Sequence, residues 1–563
     1  MTFGDWLDER VGHRTLIRAA LEEPVRGGAR WSYVFGSALA FVLTVQAVTG
    51  ILLASFYAPS STTAWASVAY VQQEVTLGWF IRGLHATGAS AMILLTALHL
   101  LQVTLWGAYR RPREVNWYVG VVMMLVLFGF ALTGYLLPWD QKGYWATQVA
   151  TSLVGAMPGF GPWLKRLVQG GPEYGNLTLT HFYALHTMAL PALMLLLTVV
   201  HVALMRRHGI TPGWSQSDAE LDQKTVPFWP EQLTRDFVAM SVVLGLMVYA
   251  VLRAHGAGLE APADPSSSYD ARPEWYFLPL YQLLKYFPGS YELVAAVGAP
   301  LVAGGLLFLL PLADRGPSRN PLRRKRFVGA VVLLLLGAAA LGGLAERADR
   351  GNAGFQKFRV RADRDAARAL ALAMEGVPPA GGTAVYDNDP TEQGRKLYAE
   401  RCAGCHVYGG AGERKAPDLD GWSSRGWIAA FLRDPANERF YGETKVKGMK
   451  PVKAIGADFD ALVEWVYSLG GPDGVDAAKA QRGKQVFDDG GCDNCHEVDG
   501  ATAGDGAPNL GQRASAAWIK RLLEDASQPA LFGAKNEMPK FRGKLGDPQL
   551  DALVQLLRAE RGK

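Results

Sequence analysis

The sequence predicts an all-α protein, in which a seven-helix transmembrane bundle is followed by two small helical modules. Three observations predict it. Seven mostly apolar stretches, near 33–56, 81–105, 115–137, 180–205, 236–254, 292–312 and 327–345, reach the ~20 residues that a membrane span requires. Two histidine pairs at near-equal spacing, His85/His99 and His186/His201, lie on the second and fourth of these stretches. Two copies of Cys-x-x-Cys-His, Cys402–Cys405–His406 and Cys492–Cys495–His496, lie in the polar final third.

The spans come first in the chain and set the orientation. The segment 57–79 has no Lys or Arg, whereas 106–114 carries Arg110, Arg111 and Arg113. Arg206, Arg207 and Lys224 follow the fourth span, and the loop 313–326 carries six basic residues. Basic residues mark cytoplasmic loops, so the N-terminus is expected in the cytoplasm and residue 346 onward outside. A Cys-x-x-Cys-His run is the attachment signature of a c-type haem, and bacteria attach that haem on the periplasmic side. The two lines of reasoning agree on a bacterial inner membrane with an extracytoplasmic tail. Residues 1–30 are charged and lack a sustained apolar core, so no cleavable signal peptide is expected; a transmembrane helix then exports the tail.

The organisation reads as 1–215, a four-helix membrane domain; 216–346, a three-helix membrane domain; 347–390, a polar linker ending in Pro and Gly; and two repeated modules, 391–470 and 471–563. Each module runs through Gly-Arg-Lys-Leu-Tyr or Gly-Lys-Gln-Val-Phe, then Cys-x-x-Cys-His, a Pro-Asp/Asn-Leu triplet, a Trp-containing helix, a Met and a final amphipathic helix. All four cysteines sit in the two motifs, which leaves no disulfide framework. The net charge of +5 on 563 residues gives no nucleic-acid signal.

In a helix, 14 residues rise about 21 Å through nearly four turns, so His85 and His99 project from one face at two depths. His186 and His201, 15 apart, do nearly the same. Pairing the first members gives one iron site near the outer surface, and pairing the second members gives one near the inner surface. Ionisable groups inside spans are functional by default, although histidines that only pack or bridge helices remain the bland alternative. Gly36 and Gly50 on the first span, and Gly120 and Gly134 on the third, lie 14 apart. Glycine lets a flat macrocycle approach the backbone; small-residue helix packing would account for the glycines but not for the histidines. Two non-covalent b-type haems are therefore expected. His181 and His208 fit neither spacing and read as interfacial, with His208 near an inner quinone site.

Residues 30–345 resemble cytochrome b of quinol-oxidising bc complexes, and more closely the cytochrome b6 plus subunit IV pair of the b6f type, here fused. The carrying residues are Thr133-Gly-Tyr-Leu-Leu-Pro-Trp-Asp-Gln-Lys-Gly-Tyr-Trp-Ala146, Phe182-Tyr-Ala-Leu-His-Thr187 and Pro273-Glu-Trp-Tyr-Phe277. The resemblance implies that His85 and His186 ligate the outer haem and His99 and His201 the inner one, with Arg82 near an outer-haem propionate. It implies that Glu274, within Pro273-Glu-Trp275-Tyr276, accepts a proton from quinol at an outer oxidation site that includes Tyr135 and residues 138–146. Arg206 matches a basic residue near the inner quinone site. A carboxylate at an apolar site is a plausible proton acceptor; a helix-capping or surface glutamate is the alternative. The chain departs from b6f proteins at Val34, where they carry a cysteine for an extra haem, so a covalent extra haem is not expected.

In the tail, two thiolates two residues apart and an adjacent His supply two thioether bonds and one axial ligand. A zinc site would need a fourth N/S ligand, which neither module offers. Met449 after His406, and Met538 after His496, are the candidate second axial ligands, against the ordinary alternative of a core methionine. Two class I-like cytochrome c domains with two covalent haem c groups follow, and His/Met ligation raises the potential.

The expected activity is that of a quinol–cytochrome c reductase subunit. Quinol from the quinone pool is oxidised at the outer site, one electron passing to a Rieske iron–sulfur subunit and haem c and the other crossing the b haems, with proton translocation. No Rieske pattern exists in this sequence, so that protein is expected as a separate subunit. A soluble cytochrome c or a terminal oxidase is expected as acceptor, in a homodimer embedded in membrane lipid. Two rivals are weighed: a non-bifurcating quinol dehydrogenase relaying both electrons to the c haems, and a haem-bearing tether for an oxidase.

Overall fold

Each of the seven apolar stretches folds as a helix, since in lipid a chain has to satisfy its own backbone hydrogen bonds. In the computed structural model these are α1 (Trp31–Ala54), α2 (Gly78–Trp106), α3 (Glu114–Leu136), α4 (Asn176–His208), α5 (Glu231–Ala254), α6 (Val294–Ala313) and α7 (Pro321–Gly351). The structure describes residues 2–267, 269–446, 448–498 and 507–562, which form two compact units, Met1–Val385 and Tyr386–Lys563.

In the first unit α1 pairs with α2, α3 pairs with α4, and α5 lies against α1 and α2. The centre of this bundle is a small apolar plug of Ala38, Val42, Met92, Leu95, Val126, Leu127, Met194 and Met247. Val42, Met92, Val126, Leu127 and Met194 fall midway between the two histidine levels on α2 and α4 and midway between the glycines on α1 and α3. Helices α6 and α7 pack on α3 and α2. At one end of the bundle a buried cluster fastens them there. Arg324 bonds Asp314 and Tyr109 at 3.0 Å each, and donates to the carbonyls of Thr104 and Leu105. The basic loops meet at this same end, where Arg113 bonds the His208 carbonyl, Arg319 the Pro212 carbonyl and Arg110 the carbonyls of Asp314 and Ser318.

The 347–390 segment, expected as a linker, is largely helical. Asn352 caps α8 (Ala353–Ala373) by accepting from the Phe355 amide at 3.1 Å. Phe355, Ala366, Ala369 and Leu372 are buried along one stripe of this otherwise charged helix. That narrow apolar face is enough to dock α8 on the helix Ala64–Gln73, and Gln73 donates to the Leu370 carbonyl. A stripe so diluted by Arg and Asp reads as polar sequence.

The second unit contains α9 (Pro390–Arg401), α10 (Arg425–Arg433), α11 (Gly456–Ser468), α12 (Ala477–Asp489), α13 (Ala516–Glu524) and α14 (Asp547–Ala559). The two repeats do not each fold back on themselves. The first helix of one packs on the last helix of the other: α9 on α14, and α12 on α11. Both crossings depend on glycine. A Cβ at Gly394 would strike the Ala552 carbonyl, and one at Gly483 would strike the Ala461 carbonyl. A single core runs through both repeats, from Tyr398, Trp427 and Leu462 to Trp518, Leu553 and Leu557. The repeat is local as well, since Ser424 and Ser515 cap α10 and α13 in the same way, each bonding a Trp amide at 3.2 Å.

Candidate functional site

The four membrane histidines fall at two levels, His85 with His186 and His99 with His201. The His85 and His186 rings lie 6.2 Å apart between centroids. Two histidine–metal bonds of about 2 Å and two ring radii of about 1.1 Å make up nearly the same span. A single iron therefore fits between them. His85 and His99 stand 14 apart on α2, but His186 and His201 stand 15 apart on α4. A single wide turn at Leu185–Ala189, with i→i+5 bonding, takes up the extra residue. Pro191, which has no amide hydrogen, follows that turn.

Each histidine backs onto the glycine that the spacing singled out. A Cβ at Gly134 would lie 2.6 Å from His186 Cε1; at Gly50, 3.2 Å from His85 Cε1; at Gly120, 3.3 Å from His201 Cε1; at Gly36, 3.8 Å from His99 Cε1. The glycines thus clear room for the imidazole rings themselves. Thr49 and Thr133 were not foreseen. Their Oγ1 atoms lie 3.0 and 3.1 Å from Nδ1 of His85 and His186. Each hydroxyl already donates to a carbonyl one turn back, Val45 or Gly129, so the ring nitrogen is the donor. This fixes the tautomer that leaves Nε2 free to ligate. The signal was the repeated Thr-Gly dipeptide, 49–50 and 133–134. At the His99/His201 level Phe35 and Val119 precede the glycines instead.

The loop carrying Pro273-Glu-Trp-Tyr lies beside the His85/His186 pair. Trp275 donates to Ser90 on α2, five residues beyond His85, at 3.1 Å. Tyr135, next to Gly134, donates to the Arg272 carbonyl at 3.3 Å. Glu274 is held by Lys142 at 2.8 Å, with each side chain about a third exposed. Lys142 also lies 5.7 Å from the Tyr135 ring centroid. Sequence reasoning marked out 138–146 as part of this pocket but not Lys142 as the partner, although a lysine inside an aromatic motif is itself a signal. Asp140 is buried and accepts from the amides of Gly143 and Glu260. Burial raises its carboxyl pKa, with those bonds opposing the rise. Arg82 is turned onto the carbonyls of Ala257 and Gly258, 2.7 Å from each. Arg206, at the other end, pairs with Glu23 at 3.2 Å. His181 packs against Gly170, and His208 ends α4.

In the second unit, Cys402, Cys405, His406 and Met449 of one repeat and Cys492, His496 and Met538 of the other line one cavity of about 540 Å³. His406 Nδ1 lies 2.6 Å from the Pro417 carbonyl, and His496 Nδ1 lies 2.9 Å from the Pro508 carbonyl. Burial lowers the pKa of both imidazoles, which favours the neutral, ligating form. The Pro-Asp/Asn-Leu triplet therefore orients each ring. Asn536 grips Met538 through its amide and its carbonyl, at 2.9 and 2.8 Å; Met449 has no such clamp among the described residues. The donor sets fit thioether-linked haem, with no competing cluster of three or more His, Cys, Asp or Glu side chains among the described residues.

Comparison with known proteins matches residues 22–209 to the family "Cytochrome b/b6/petB" and residues 262–354 to "Cytochrome b(C-terminal)/b6/petD". Residues 391–470 match "Cytochrome c", and residues 478–557 match "Cytochrome C oxidase, cbb3-type, subunit III". Cytochrome b of Rhodobacter capsulatus is 36% identical over 305 residues, covering 52% of this chain and 69% of that protein. The menaquinol:cytochrome c reductase cytochrome b subunit of Geobacillus thermodenitrificans is 41% identical over 215 residues, 37% of this chain and 96% of that one. Among solved structures, a hyperthermophilic respiratory complex III chain aligns with a TM-score of 0.53 at 27% identity, covering 67% of this chain and 98% of the other.

Proposed function

Since the chain belongs to the cytochrome b family of bc complexes and carries cytochrome c fused to it, we propose that it oxidises quinol at its outer end and divides the two electrons. The protein is a multi-pass membrane protein of mostly helical fold that uses haem b and haem c. In this reading His85 with His186, and His99 with His201, would hold two b haems, and the pairs Cys402/Cys405 and Cys492/Cys495 would hold two c haems, with His406, Met449, His496 and Met538 as the side chains that would bind their iron. Bound haems supply one-electron transfer across the bundle and through the tail.

The carrying observation is the His85–His186 pair, its rings 6.2 Å apart, with the Glu274 loop tied to the same level through Ser90 and Tyr135. Glu274 accepts a quinol proton and passes it toward the outside, and Lys142 positions its carboxylate. Pro273, Trp275 and Tyr276 shape the pocket and exclude water from it. Arg82 would anchor an outer propionate on leaving the Ala257 and Gly258 carbonyls, and Arg206 would serve the inner quinone site on leaving Glu23. One electron leaves to a Rieske iron–sulfur subunit and then to haem c; the other crosses inward to reduce quinone, and protons are moved outward. The chain works as a homodimer in a bacterial inner membrane, its N-terminus cytoplasmic and its tail periplasmic, passing electrons to a soluble cytochrome c or an oxidase. The test is an oxidant pulse to quinol-supplied membranes with the inner site blocked. Transient reduction of haem b is expected; joint oxidation of haems b and c would replace bifurcation with a linear relay.

A further inference from the structure

Arg513 belongs to the second repeat of the tail and reaches into the first. Its guanidinium donates to Ser423 Oγ at 2.9 Å and lies 5.7 and 5.9 Å from the ring centroids of Trp422 and Trp427. It lines the cavity onto which both Cys-x-x-Cys-His motifs open. Its charge acts on His496 of the second repeat and on Tyr441 of the first. Aligning Pro417-Asp-Leu-Asp-Gly-Trp422 with Pro508-Asn-Leu-Gly-Gln-Arg513 puts Arg513 where the first repeat has Trp422. The repeat symmetry breaks there, and one cation faces both haem sites.

Among the described residues no carboxylate pairs with Arg513. Arg561 stands close enough to repel it; its own guanidinium is spent on the carbonyls of Gly470, Ala514 and Tyr467. Two cations withdrawn from water without an anion are costly, so the cavity wall is incomplete as a set of charges. A carboxylate-bearing cofactor would complete it, and haem presents two propionates at one edge.

We propose that Arg513 is a shared haem-positioning residue, one guanidinium holding propionate carboxylates of both c-type haems and biasing both toward the reduced state. The proposal rests on the reading of the two cysteine pairs as haem c sites. A fixed positive charge in a poorly screened interior stabilises the more electron-rich form of any group beside it. The helix exchange of α9 and α12 brings both sites within reach of one side chain.

The experiment uses the full chain in its native membrane complex, with Arg513→Gln and Arg513→Lys. Pyridine haemochrome first counts c haems, and a redox titration of the c-haem absorbance then gives their midpoint potentials. Arg513→Gln with two c haems and both potentials lowered is the expected result, with recovery toward wild type in Arg513→Lys. Two c haems with one potential moved, or with neither moved, would overturn the sharing. Fewer than two c haems in the unaltered chain would sink the cysteine assignment itself, and the proposal with it. If Arg513→Gln does not accumulate, Ser423→Ala frees the guanidinium from its hydrogen bond to Ser423. A parallel shift of both potentials supports the proposal there, and unchanged potentials refute it.

Discussion

Asp314→Ala tests what binds α6 and α7, and with them the Glu274 loop, to the histidine-bearing helices. The Arg324 and Asp314 side chains are 3% and 2% exposed, so neither is solvated by water. Removing the carboxylate leaves a buried guanidinium whose remaining partners are the Tyr109 hydroxyl and the carbonyls of Thr104, Leu105 and Arg319. Breaking one side of a buried pair costs about 3–5 kcal/mol, whereas replacing both sides with packed apolar groups is often neutral. Asp314→Ala should therefore shorten the thermal inactivation half-life of the detergent-solubilised complex sharply. Asp314→Leu combined with Arg324→Met should recover most of it. A double-mutant cycle isolates the coupling between the two groups. A single mutant within about 0.5 kcal/mol of wild type, or a double mutant at the sum of the singles, would show that the pair is not what holds the helices.

Glu274→Gln removes the proton acceptor but keeps the shape of the side chain, so quinol-dependent cytochrome c reduction should fall roughly 10²–10⁴-fold with an unchanged haem b spectrum. A chain stopped after residue 470 retains Cys402, Cys405, His406 and Met449 but loses α14, the partner of α9. Limited proteolysis should find α9 unprotected, whereas a self-contained first repeat would stay resistant. Arg425 forks onto Glu464 at 2.6 and 2.7 Å and holds its carboxyl below the ordinary range. A folded value below the unfolded one gives stability that is full above about pH 4.3 and is lost as pH falls through the lower folded value. The Tm of the tail should fall on acidification in wild type and less steeply in Glu464→Gln.

The legible parts of the molecule were those written in periodicity. Histidine and glycine spacings are counted along single helices, and Cys-x-x-Cys-His lies within one turn, so neither needs the tertiary fold to be recognised. Partners brought in from distant loops left no such trace. Lys142 and Glu274 lie 132 residues apart, and Arg324 and Tyr109 lie 215 apart. Nor does a repeat say whether its first helix packs on its own last helix or on its neighbour's. The docking of α8 was hidden for a different reason: only four of its 21 residues are buried, and the Lys, Arg and Asp interspersed among its apolar residues make the segment read as polar.

The outer and inner histidine pairs differ in one chemical respect that bears on electron flow. On the proposed ligation, His85 and His186 each donate through Nδ1 to a threonine hydroxyl, while the inner pair meets no hydroxyl among the described residues. A hydrogen bond donated by a ligating imidazole makes it more basic, and a more basic ligand favours ferric over ferrous iron. On that ligation the outer site would sit at a lower potential than the inner one, and an electron entering beside Glu274 would run downhill across the bundle. Thr49→Val together with Thr133→Val should raise the outer b potential and leave the inner one in place, narrowing the gap in a redox titration of the haem b absorbance. Equal shifts at both haems would assign the effect to general packing, and no shift would leave the asymmetry to charge, with Arg82 and Asp140 at the outer end the groups to examine next.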